Sequence, residues 1–356
     1  MPGALEGTPA NAFLQNCFRI EGYFAANLNS ESMKNLIYLL FALIILSSCN
    51  TTSDPEEPIS LADSITMGAG YADEVFYSLE NGIVKTSPRS SWDIAFSTNP
   101  MSSTILTNEG YGVELYAYPH GDFSAWDQID TAGMSQWPVL YNSDTSWLYG
   151  AFDRNDLGHP DYGWGVYNMQ THDVLGDSIF IIKTGDGSYK KLFIEKRAAM
   201  TNSFTIQYGQ FEEAGQTKEI DCASYTTKNF IYFSFASGEV LDIEPEADSW
   251  DLLFTKYYDE SIPYNVTGVL TNMELETAEV RDTDPGLADP NTAEFSSHIS
   301  VIGSDWKSFD MATYSYVIEP DLCYFVRKGG DTYKITFTGT DGSATGTMVF
   351  DKEKLD

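Results

Sequence analysis

Tyr77-Ser78-Leu79-Glu80-Asn81-Gly82-Ile83-Val84, followed by Trp92-Asp93-Ile94-Ala95-Phe96, decides the fold, because the chain carries this pattern twice. The second version is Phe233-Ser234-Phe235-Ala236-Ser237-Gly238-Glu239-Val240, followed by Trp250-Asp251-Leu252-Leu253-Phe254. Each reads as a strand, a turn at Asn-Gly or Ser-Gly, and a second strand. A further strand then opens on Trp-Asp. Period-two alternation predicts Trp, Ile/Leu and Phe on one face of that strand, with Asp on the other.

The correspondence extends outward from there. Leu106-Thr107-Asn108 matches Leu270-Thr271-Asn272. Trp164 and Met169 are spaced as Trp306 and Met311 are. Lys183 and Tyr189-Lys190 match Arg327 and Tyr333-Lys334, and the runs Phe204 to Tyr208 and Gly346 to Phe350 read as closing strands. Matches that keep the same order along the chain mark an internal duplication. The expectation is an all-β chain of two tandem, related, antiparallel modules, residues 65–213 and 222–356, joined through Glu212 to Asp221. Each is long enough to bury its own core. Aromatic residues make up 14% of the chain and alternate with polar ones in short runs, which suits strands.

Ahead of the modules lies an export signal. Lys34 precedes an apolar run through Leu46, and Ser47-Ser48-Cys49 closes it. A basic residue, a short apolar core and small residues at the end are the marks of a secretory signal. The run is too short to span a membrane comfortably, which needs about 20 apolar residues. Leu46-Ser47-Ser48-Cys49 resembles a bacterial lipobox, which implies lipid attachment at Cys49. An ordinary signal peptide or a core helix is the alternative reading. Met33-Lys34 is a natural start, so residues 1–48 are read as a spurious lead plus signal. Residues 49–64, polar and acidic, are read as a flexible tether.

The formal net charge is −32, and without residues 1–48 it is still −31. Such a chain repels phosphate backbones, which excludes nucleic acid as a partner. Beyond the anchor only Cys222 and Cys323 remain. An exported compartment permits a disulfide between them. Two buried free thiols are the plainer reading.

At Ile231 to Val240, Trp250-Asp251 and Tyr324 to Lys334, with Lys183 to Lys191 as the copy 1 counterpart, the chain resembles the HmuY-like family of haem-binding lipoproteins. The resemblance covers most of both copies. It implies a β-rich, outer-membrane lipoprotein, facing the cell surface or the periplasm. Such a protein takes haem from a host carrier and passes it to an outer-membrane receptor. It also implies an axial ligand a few residues after the second Trp, which points to Met169 and Met311. Thioether ligation of haem iron is sound chemistry. The family's other ligand lies between the Trp-Asp strand and that Trp. Copy 1 offers His120, Met134 and His159 there, and copy 2 offers His298. His172, three residues after Met169, is a further candidate if a turn brings the two together.

Other chemistry finds less support. Asp153 to Gly158 and Asp282 to Gly286 are weakly similar to calcium loops, yet plain Asp and Gly turns explain them. No histidine cluster makes a zinc site, and no Gly-x-Ser-x-Gly elbow or phosphate loop is present. No catalytic residue and no metal ligand set is assigned, and the chain is read as non-enzymatic. Trp147 to Tyr167 is rich in Trp and Tyr and reads either as core or as a stacking platform for sugar or porphyrin. A glycan- or protein-binding surface lipoprotein that keeps the fold without a haem site is the alternative function.

Overall fold

The computed structural model describes residues 61–281 and 283–355. Cys49, the signal run and most of the acidic tether lie outside the described residues. The sequence reading carries the tether to residue 64, but the first strand already begins at Leu61.

The all-β expectation holds: the described residues form antiparallel sheets joined by turns and short 3-10 segments. Copy 1 supplies β1 (Leu61–Thr66), β2 (Asp73–Ser78), β3 (Gly82–Pro88), β4 (Ile94–Ser97), β5 (Ile105–Thr107) and β6 (Glu114–Ala117). It continues with β7 (Gly165–Tyr167), β8 (Val174–Gly176), β9 (Ile179–Lys183), β10 (Tyr189–Ala198) and β11 (Ser203–Gly209). Copy 2 supplies β12 (Gln216–Asp221), β13 (Phe230–Ser234), β14 (Glu239–Leu241), β15 (Leu252–Asp259), β16 (Tyr264–Thr271) and β17 (Glu276–Arg281). It ends with β18 (Lys307–Asp310), β19 (Ser315–Ile318), β20 (Leu322–Lys328), β21 (Asp331–Thr340) and β22 (Thr347–Leu355). The two sets correspond strand for strand.

Their pairing crosses the sequence repeats. β12, β11, β10, β9 and β6 form one sheet, extended by β8 and β7, and β1, β22, β21, β20 and β17 form its counterpart. Two four-stranded sheets, β14-β13-β4-β5 and β3-β2-β15-β16, are likewise related. The first body is therefore built from β4 through β14. The second is built from β15 through β22 and is completed by β1, β2 and β3 from the far end of the chain. Each body has its own core. Ile94, Phe96, Trp164, Phe204 and Phe233 lie in one; Tyr77, Phe254, Trp306, Tyr324 and Phe350 lie in the other. The expected joint at Glu212 to Asp221 is mostly strand: β12 lies along β11, from Tyr208 opposite Gln216 to Ser203 opposite Asp221.

The Trp-Asp motif ties these pieces together. Asp93 Oδ2 accepts the Phe235 N–H at 2.7 Å, and Asp251 Oδ2 accepts the Leu79 N–H at 2.7 Å. Each aspartate thus caps the hairpin that pairs with the strand following it. Asn108 Nδ2 donates to the Trp92 carbonyl at 2.8 Å, and Asn272 Nδ2 to the Trp250 carbonyl at 2.8 Å. The period-two expectation fails at the tryptophans. Ile94 and Phe96 face the first core, but Trp92 lies in a separate layer between the bodies with Ala95 and Leu106. The strand starts only at Ile94, and the capping bonds of Asp93 break the pleat before it. Trp250 behaves in the same way. Across this layer Trp92 meets Tyr232 edge-on at 4.9 Å, and Trp250 meets Phe76 edge-on at 5.2 Å.

Buried carboxyls line the same layer. Glu74 accepts from the Trp92 indole and Glu244 from the Trp250 indole, both at 3.2 Å. Glu109 accepts the Tyr258 and Asn142 N–H groups, each at 2.9 Å. Burial pushes Glu74, Glu244 and Glu109 up to about 7. Each binds its proton more tightly folded than unfolded, so the stability it contributes is complete below about 4.5, falls as pH rises, and is gone above about 7. The melting temperature is expected to be several degrees lower at pH 8 than at pH 5 by scanning calorimetry. A Glu74→Gln, Glu244→Gln double variant should flatten that slope. An identical slope in the variant would show that these carboxyls do not titrate on unfolding.

Candidate functional site

The first body ends in a tip built on β7 and β8. Its root is Trp164, fully buried, whose indole donates to the Ser103 carbonyl at 3.1 Å. The turn beyond it is closed by its own polar groups. Asn168 N–H donates to the Asp173 carbonyl and His172 N–H to the Asn168 carbonyl, both at 2.8 Å. The Asn168 side chain accepts the Gln170 N–H at 2.8 Å. His172 takes a left-handed φ of 64°, which completes this closure.

That closure sets the chemistry. The Tyr167 hydroxyl and His172 Nδ1 are 2.5 Å apart, and His172 is exposed. A histidine held through one nitrogen presents the other in a set direction, as metal-ligating histidines commonly do. His159, also exposed, packs its ring 5.2 Å from Tyr167 and 6.2 Å from Tyr162. Met169 projects from the same turn, 75% exposed. The tip thus gathers three candidates from the sequence, His159, Met169 and His172, around Tyr162 and Tyr167. Lys196 stands beside it, 3.4 Å from the Asp173 carboxylate.

The remaining candidates fall elsewhere. His120 sits in another aromatic setting, 5.5 Å from Tyr118 and 5.7 Å from Trp137. Met134 is half-buried against that same layer. Met311 occupies the matching position in copy 2, exposed on the β18–β19 turn, where Met311-Ala312-Thr313-Tyr314 offers no histidine. That hairpin is a sheet of its own, whereas β8 of the first tip pairs with β10. Its root, Trp306, is buried and stacked on Phe337 at 4.0 Å, but its indole N–H has no acceptor. His298 lines an acidic groove of about 570 Å³ with Asp144, Asp259 and Asp305.

The aromatic run Trp147 to Tyr167 does not form one platform. Trp147 donates to the Thr271 carbonyl at 2.7 Å in the layer between the bodies, and Phe152 and Trp164 are core. Only Tyr162 and Tyr167 reach the tip. Asp153 is buried, bonded to the Gly150 N–H at 2.7 Å, and Asp284 caps its own turn, so both read as turn chemistry. Asp282 lies outside the described residues. No cluster of three or more His, Cys, Asp or Glu fit to hold a metal occurs among the described residues. Cys222 and Cys323 are free and buried in separate clusters.

Sequence reasoning passed over Met101 and Met200, which share this end of the first body. They lie on the β4–β5 and β10–β11 turns and stand almost fully in solvent. Their exposure is the signal, and composition alone could not show it. Comparison with protein-family models and with curated proteins finds no match to this chain.

Proposed function

We propose that this is a non-catalytic, membrane-anchored lipoprotein that captures haem at the tip of its first body and passes it to an outer-membrane uptake system. The observation that carries the reading is the Tyr167–His172 bond, which leaves Nε2 as the free nitrogen of an exposed histidine. His172 then ligates the iron through Nε2. Met169, three residues back on the same tight turn, cannot reach the opposite face of the same porphyrin, so it packs against the ring. Tyr162 and Tyr167 supply further apolar surface, and Lys196 supplies a cation for a propionate. The second body lacks a histidine on its matching turn and serves as a partner in the fold. Anchoring through Cys49 and hand-over to a receptor belong to the same proposal, as the family resemblance implies.

Ferric haem titrated into the chain from Asn50 onward tests this. A saturable 1:1 Soret shift is expected, lost in His172→Ala and weakened about threefold to tenfold in Met169→Leu, a change of about 1 kcal/mol. The expected spectrum is that of a single histidine ligand. A Soret shift that survives His172→Ala, or no saturable shift at all, overturns the reading.

A further inference from the structure

Methionine is normally a buried, gap-filling residue. Three of the most exposed apolar side chains among the described residues are nonetheless methionines at one end of the first body. Met101 is 93% exposed, Met200 is 97% and Met169 is 75%. Single exposed apolar residues are ordinary, but three thioethers on adjoining turns are not.

The Met200 turn is bonded to each of the other two. Asn202 Nδ2 donates to the Thr98 carbonyl at 2.8 Å, and the Arg197 guanidinium donates to the Pro100 carbonyl. The Ala199 N–H donates to Asp173 Oδ1 at 2.9 Å. The loop bearing Met101, the turn bearing Met200 and the turn bearing Met169 therefore share one fixed frame. The three side chains project freely from it.

We infer that Met101, Met169 and Met200 form a thioether site for a soft monovalent cation, Cu(I) or its analogue Ag(I). Thioethers are neutral, polarisable donors that favour Cu(I) over hard cations. The three rotatable bonds of each methionine let sulfurs on a fixed frame converge. Arg197, at the base of the Met200 turn, is already engaged with Pro100 and Asn202. The net charge of the chain, −32, favours arrival of a cation. His172, on the same turn as Met169, carries an imidazole nitrogen donor on this frame. The inference goes beyond the haem reading, which leaves Met101 and Met200 unused.

The test uses the chain from Asn50 onward. Ag(I) binding is followed by calorimetry, and Cu(I) binding under ascorbate by competition with bicinchoninate. Leucine on an exposed turn preserves the fold, which circular dichroism verifies. One equivalent should bind at about micromolar Kd or tighter. Binding should weaken about tenfold or more in Met101→Leu, Met200→Leu and vanish when Met169→Leu is added. Absence of saturable binding to the parent chain, or unchanged affinity in the double variant, overturns the proposal. Haem titration of the double variant separates the two sites. An unchanged Soret response with weakened Ag(I) binding supports the thioether site as its own, and parallel loss of both overturns it.

Discussion

A chain cut in the turn between β11 and β12 is expected to elute as one particle containing both halves. A protease site inserted at Gln210 to Gly215, on an exposed connection, allows the cut without touching a strand. The halves would be held by β1 on β22, β2 on β15, β4 on β13 and β11 on β12. The Trp92–Tyr232 and Trp250–Phe76 contacts would hold them as well. Dissociation should not be visible at about 1 µM, which corresponds to more than about 8 kcal/mol. Two self-sufficient tandem modules would come apart on the same column after the same cut. Cleavage monitored by gel and size-exclusion chromatography decides between them, with denaturant required for separation in the expected case.

Replacing Asp251 is the second change with a large expected effect. Its carboxylate is 1% exposed, accepts the Leu79 N–H, and pairs with Lys328 Nζ at 2.8 Å. Asp251→Ala leaves a buried N–H without an acceptor and costs about 3 kcal/mol. The damage should appear in an element distant in sequence: hydrogen exchange should accelerate along β2 and β3, the copy 1 hairpin. Asp251→Asn keeps an acceptor oxygen for Leu79 and should recover part of the loss. Protection of β2 and β3 equal to the parent chain in Asp251→Ala would show that the cap does not hold the arm. The Asp93→Ala counterpart should loosen β13 and β14 instead.

Much of this architecture was legible in the sequence. The hairpins Tyr77 to Val84 and Phe233 to Val240, the Trp-Asp strands and the closing strands are where self-comparison puts them. Which hairpin completes which body was not legible, and the reason is the duplication itself. When two copies carry the same pattern, a hairpin fits its own copy and the other equally well, so alternation cannot distinguish the pairings. Asp93 and Asp251 illustrate the limit. Read by period two they are outward polar residues, yet both carboxylates turn inward to cap a hairpin from the other copy. At the site, Met169 and His172 were visible as neighbours in sequence. The left-handed turn that brings His172 back to Tyr167 was not, because a non-glycine residue with positive φ leaves no mark in composition.

The arm of β1, β2 and β3 also has a meaning in time. Asp63 on β1 meets Lys352 on β22, 289 positions along the chain. At about 5–20 residues per second, the ribosome needs roughly 15 to 60 s to make the strand that β1 requires. Throughout that interval β1 has no partner, and the β2–β3 hairpin has only itself to pair with until β15 is made. The first body can mature meanwhile, since its strands follow one another in order. The second is the last part of the molecule to form, and it forms around the segment that was made first.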